Sequence, residues 1–328
     1  MLIEFKVTNF RSIHNTQTLS MVGGTRPELK EQNTFASSLS SLPNLLRSIV
    51  VYGPNAAGKS NIFLAMHFMK HFVLRSQTLQ EGENIDVAPF LLNSKSRTEP
   101  SEFEVIFIQD NIRYQYGFTV TNERVMNEWL LAYPEGRPQK WFERKYDSLK
   151  GSEDWSFGSK FSGHHQLRDT WQATTRKNGL FLSTAIQLNN EQLKPVFNWF
   201  QQKLTVILPT VRINRRFSAE QCESEEGRSK IMEFMNSADI GILGIEVKRK
   251  EIPFSTDDLP PNMPQEVKER FIRRNMRERV DIKFLHKTID SGEVISFDIL
   301  DESDGTQKLF AFAGRLLDVL AKGRILFV

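Results

Sequence analysis

The chain has 328 residues, 39% of them hydrophobic and 25% charged, with a formal net charge of +3 and one cysteine. That length asks for about two domains, and the near-balanced charge gives no global field that argues for nucleic acid by itself. A lone Cys222 excludes an intramolecular disulfide framework and a cysteine-based zinc site within one chain, and fits a reducing compartment.

The N-terminal MLIEFKVTNF has no cationic stretch followed by an apolar run, and no run of about 18 apolar residues occurs anywhere. Neither a signal peptide nor a membrane helix is expected, and the protein reads as cytoplasmic. Residues 2–7 alternate as a strand with one wet face. Asn9, Phe10, Arg11 and Ser12 follow as a turn, then a second strand over 17–22 and a loop over 24–44. Residues 48–52 (SIVVY) read as a short buried strand, and a helix is predicted from Lys59 to Leu74. Three strand-like runs at 102–109, 112–121 and 124–133, joined by Asp110-Asn111 and Asn122-Glu123, predict an antiparallel meander that 139–146 extends.

Residues 147–170 read as polar and irregular. An apolar run covers 179–185, a helix 190–204 and a strand 205–208. Residues 211–281 read as a mainly helical, charged arm with a Pro-rich loop at 253–264 and a charged helix over 265–280. A strand at 293–300, an amphipathic helix at 306–320 and an apolar strand at 324–328 close the sequence. The resulting division is 1–210, 211–281 and 282–328.

The chemistry concentrates at Gly53-Pro54-Asn55-Ala56-Ala57-Gly58-Lys59-Ser60, which matches G-x-x-x-x-G-K-[ST] between a predicted strand and a predicted helix. Glycines let the backbone curl so that successive N–H groups face phosphate oxygens, and the following helix adds the positive end of its dipole. Lys59 is expected to reach the β- and γ-phosphates of ATP, and the Ser60 hydroxyl to ligate Mg²⁺, with Asn61 alongside. A second helix start, Glu302-Ser303-Asp304-Gly305-Thr306-Gln307-Lys308, offers either a simple cap at Ser303 or another anion site.

The order of these pieces resembles the ABC-type ATPases: phosphate loop, inserted arm, S-x-G signature, helix, then an apolar strand. EFKVTNFRS resembles the opening of RecF, SMC and OLD-type heads. LIEFKVTNFRSI with TQTLSMV, VYGPNAAGKSN, YQYGF with NEWLLAY, LFLSTAIQLNN with NWF, ADIGILGIEV and ESDGTQKLF together resemble AAA_15/AAA_21 ATPases of the RloA type, related to the ATPases of Septu and PARIS phage-defence systems. The resemblance spans nearly the whole chain. It implies an α/β fold, an ABC-type P-loop ATPase head with an antiparallel β-subdomain and an inserted mainly helical arm. It implies Arg11 near the nucleotide, and a homodimer in which Ser303 and Gly305 of one chain meet the γ-phosphate held by Lys59 and Ser60 of the other. It also implies a separate nuclease-like effector and a role in antiviral defence.

That family places Asp-Glu directly after the strand that ends here at Val328, so these 328 residues are expected to bind ATP without efficient hydrolysis. Gln109 and Gln115 stand near the place of a Q-loop glutamine, and neither is assigned. A RecF/SMC-like repair ATPase and a non-catalytic nucleotide-bound scaffold are the alternatives.

Other signals read as structural first. His67 and His71 are spaced i, i+4 but lack a third ligand. His164-His165 lies in a polar stretch. Lys268, Arg270, Arg273, Arg274, Arg277 and Arg279, with Arg212–Arg216 and Lys248–Lys250, could touch a nucleic-acid backbone or a protein partner, yet i, i+4 ion pairs account for them equally.

Overall fold

In the computed structural model the described residues are 1–24, 28–39, 42–55, 57–208, 213–238, 240–253, 255, 258–274 and 276–328. They form two compact units, Met1–Thr210 with Arg324–Val328, and Val211–Gly323.

The first unit opens with β1 (Leu2–Thr8), in which Phe5 and Val7 are buried and Lys6 and Thr8 are half-exposed. After β2 (Gln17–Ser20) come the short helix α1 (Lys30–Asn33), a small antiparallel pair of β3 (Thr34–Phe35) with β4 (Leu45–Leu46), and the long helix α2 (Lys59–Arg75). The predicted meander follows as β5 (Ser101–Gln109), β6 (Ile112–Val120), β7 (Val125–Tyr133) and β8 (Gln139–Asp147). Asp110 and Asn111, at φ 52° and 59°, join β5 to β6. Two positive φ values are what a two-residue hairpin turn of the matching twist requires.

The sheet also contains β9 (Ser152–Phe157), in a stretch read as irregular. Only alternate residues of β9, including Trp155 and Phe157, turn inward, so its overall polarity masks the period. The seven strands are ordered β2-β1-β5-β6-β7-β8-β9. Helix α2 lies on this sheet: Phe68 packs 4.9 Å from Phe103 and Phe72 5.5 Å from Phe118, between ring centroids. Burying each such ring is worth about 1.5–3 kcal/mol.

Next come α3 (His165–Thr174), which begins in the stretch read as irregular, then α4 (Phe181–Gln187), α5 (Lys194–Asn198), a π-helical turn Trp199–Lys203 and β10 (Leu204–Val206). Helix α4 is pinned to the sheet by polar groups. The fully buried Glu128 accepts from Tyr116 Oη at 3.0 Å, Phe181 N at 2.6 Å and Leu182 N at 3.0 Å. Burial pushes its pKa up, against the opposing pull of Arg144 and the two backbone N–H groups. Arg144, itself buried, donates to both Glu153 oxygens and to the carbonyls of Gly179 and Arg176.

The second unit holds α6 (Arg216–Gln221), α7 (Glu225–Ser237), β11 (Gly244–Pro253), α8 (Gln265–Arg274), β12 (Met276–Lys287), β13 (Val294–Asp298) and α9 (Asp304–Ala321). Its antiparallel sheet runs β11-β12-β13 over a core that includes Ile231, Met235, Ile282, Phe284 and Phe310. The stretch expected to be mainly helical therefore contains two long strands, and the helix expected over 265–280 stops at Arg274. Beyond that point Val280, Ile282 and Phe284 repeat every second residue toward the core, and β12 pairs with β11 from Gly244 to Pro253. Helical i, i+4 ion pairs are worth about 0.2–0.5 kcal/mol each, less than burying Ile282 and Phe284.

Finally, β14 (Ile325–Phe327) returns to the first unit and pairs with β10 in parallel. Among the described residues no helix is long and apolar enough to cross a membrane.

Candidate nucleotide-binding site

The segment before the phosphate loop departs from expectation. Residues 48–52 form no strand and are not buried as a run: Val50 is 79% and Tyr52 89% exposed. A strand exists only through its ladder partners, and among the described residues this segment has none. Its β-branched residues favour extended backbone without making it part of a sheet.

The loop itself is built for close approach. Gly53 and Gly58 sit at φ 153° and 84°, which side chains rarely permit. A Cβ on Gly58 would stand 3.0 Å from Ser12 Oγ. Gly58 is also the N-cap of α2. It supplies no side-chain cap, and the first turn carries no acidic residue. Asn61 N donates to Gly58 O at 2.9 Å, and the N–H groups before it have neither a side-chain cap nor an acid opposing the helix dipole. Lys59 Nζ folds over the loop and donates to Gly53 O at 2.8 Å and Pro54 O at 2.7 Å. Pro54, Asn55, Ala57 and Ser60 are exposed, while Ala56 lies outside the described residues. These groups fit a triphosphate: an uncapped helix start, two glycines without Cβ, and a cation whose partners among the described residues are exposed carbonyls. The exposed Ser60 hydroxyl is the group available to Mg²⁺.

The turn after β1 braces this loop. Asn61 Nδ2 donates to Ser12 Oγ at 2.5 Å. Asn9 and Arg11 both adopt φ 53°. The buried Asn9 side chain donates to Ser96 O and Glu99 O, both at 2.8 Å, and accepts from Phe90 N at 2.9 Å. Arg11 N donates to Ala88 O at 2.8 Å, while its exposed guanidinium lies 5.7 Å from the Phe10 ring centre. Ser12 and Asn9 were not singled out from sequence. Their partners lie 49 and more than 80 residues away, so no local spacing reveals them.

Ser303 and Gly305 belong to the second unit. Ser303 caps α9: its Oγ accepts from Thr306 N at 3.1 Å and is hydrogen-bonded to Thr306 Oγ1 at 2.9 Å. Asp304 occupies the first turn and Gly305 is exposed. Glu302, just before the cap, lies 2.8 Å from His286 Nε2.

The rings of His67 and His71 stack 6.2 Å apart on α2, and burial, then the charges of His71 and Lys70, lower the His67 pKa. Among the described residues no group of three or more His, Cys, Asp or Glu could hold a metal ion. His164 is the N-cap residue of α3, and His165 lies 2.6 Å from Asp169. Gln109 donates to Asp110, and Gln115 donates to Glu104 and accepts from Tyr133. Of the basic residues, Lys248, Arg249, Lys250 and Arg279 meet Glu246, Glu223, Asp281 and Asp281. Arg212 and the side chains of Arg273, Arg274 and Arg277 lie outside the described residues.

A family model described as "AAA domain, putative AbiEii toxin, Type IV TA system" matches residues 48–175. The matched stretch holds the whole phosphate loop, α2 and strands β5 to β9. It supports a P-loop ATPase domain of the AAA kind and, with it, nucleotide binding that usually involves Mg²⁺. No curated protein matches the chain.

Proposed function

We propose that this chain is an ABC-type ATPase head in which ATP and Mg²⁺ bind at residues 53–60 and join two copies, thereby regulating a separate nuclease-like effector in bacterial antiphage defence. The observation that carries the nucleotide part is the uncapped, acid-free start of α2, with Lys59 lying across the loop. Lys59 would exchange two exposed carbonyls for phosphate oxygens, so that both partners of each bond carry charge. Bound Mg²⁺ would neutralise phosphate charge beside Ser60, and Arg11 would approach the nucleotide from the braced turn.

The dimer part rests on the S-x-G at α9. Ser303 and Gly305 of one copy would face the phosphates held by the other.

Light scattering with and without ATP and Mg²⁺ tests the dimer. ATP should double the mass, while Lys59→Ala and Ser303→Arg chains should each stay monomeric. Mixed together, those two variants should recover dimer, because one intact site then forms between them. Nucleotide binding without any change of mass, or no recovery on mixing, would rule out a shared site.

A further inference from the structure

A groove of about 380 Å³ runs along α2 away from the phosphate loop. One wall is the α2 stripe of Leu64, His67, His71 and Arg75, and Arg11 lines the groove beside them. Phe68 and Phe72 supply apolar floor. From Leu64 to Arg75 the helix advances about 16 Å, at about 1.5 Å per residue. The groove lining follows the helix over that length. It suits an extended chain of about five residues at about 3.3 Å each.

The charge on the walls is unanswered. The side chains of Arg11, His67, His71 and Arg75 make no hydrogen bond or ion pair among the described residues, and neither does Asp86, the one carboxylate in the lining. Arg11, His71 and Arg75 are exposed. The two unpaired guanidiniums, Arg11 and Arg75, over an apolar floor complement a segment that carries carboxylates and apolar side chains together. A single nucleic-acid strand fits less well, because it needs free aromatic faces for its bases. Here Phe68 and Phe72 stack on one another at 5.5 Å and pack on Phe103 and Phe118.

We propose that this groove receives an extended acidic segment of a partner protein, with carboxylates at Arg11 and Arg75 and apolar side chains on Phe68 and Phe72. Arg11 is shared with the nucleotide reading, so the test is run without nucleotide and on Arg75 and His71, which that reading does not use. Fluorescence anisotropy on the full chain tests it with a labelled Glu-Leu-Glu-Leu-Glu peptide, its Gln-Leu counterpart and a five-residue oligothymidylate. The acidic peptide should bind at least about tenfold better than the neutral one. Arg75→Glu and His71→Glu should each weaken it several-fold, and together about tenfold, with thermal unfolding unchanged. No binding, equal binding of the two peptides, or indifference to both charge reversals overturns the proposal. So does oligothymidylate that displaces the peptide and itself fails to bind the reversed variants.

Discussion

Two helices of the first unit begin in opposite ways. At the start of α4 the N–H groups of Phe181 and Leu182 are taken by Glu128, an anion that the protein supplies from β7 and buries completely. At the start of α2 there is no capping side chain and no acid in the first turn, and the Lys59 ammonium lies across the loop. The backbone chemistry is the same in both. One start is satisfied internally and fixes the fold, and the other is left for a ligand. A helix start becomes a phosphate site when the protein withholds its own anion and adds a cation.

The comparison breaks most visibly at Glu128. Glu128→Ala leaves three buried donors without an acceptor and deprives Arg144 of a nearby opposite charge. Urea unfolding should show a loss of about 3–5 kcal/mol, and a loss below about 1 kcal/mol would mean that α4 does not need its internal anion. At α2 the change should fall on the ligand instead. Lys59→Ala should weaken a fluorescent ATP analogue by about 1.5–3 kcal/mol, roughly ten- to 150-fold. The melting temperature should hardly move, because its two bonds are exposed. Undiminished affinity would remove the phosphate reading.

How much of this was legible depends on the range of the interaction. The meander and α2 were legible because their signals are local: alternation, an Asp110-Asn111 turn, an apolar helical stripe. The G-x-x-x-x-G-K-S pattern was legible because eight adjacent residues carry it. Residues 48–52 misled, since β-branched composition reports a preference for extended backbone and not a ladder partner. Residues 276–280 misled because charges at helical spacing hid the alternation that β11 rewards. The braces around the loop, Ser12 to Asn61 and Asn9 to residues 90–99, are set by tertiary folding and leave no spacing to read.

A third helix start, that of α9, lies between the two extremes. Ser303 already caps it through Thr306 N, so the hydroxyl has a structural task whatever else it does. Ser303→Ala should destabilise the second unit by about 1 kcal/mol, measured by thermal unfolding. Ser303→Asp separates the roles, since it keeps a capping acceptor while presenting negative charge. It should restore stability and still prevent ATP-dependent dimerisation. A Ser303→Asp chain that dimerises normally would leave Ser303 a cap alone.

The smallest effect sharpens the geometry of α2 itself. Gly58 is held by two constraints: its φ of 84°, and Ser12 Oγ standing 3.0 Å from where a Cβ would lie. Gly58→Ala meets both. Ser12→Ala gives up the bond from Asn61, worth about 0.5–1.5 kcal/mol, but opens the space that the new methyl group needs. The double variant should therefore be less damaged than the sum of the two, by about 0.5 kcal/mol, in both analogue affinity and thermal unfolding. Simple additivity would assign the whole Gly58 requirement to the backbone angle. A clear coupling would mean that the turn after β1 presses on the phosphate loop and can move with it.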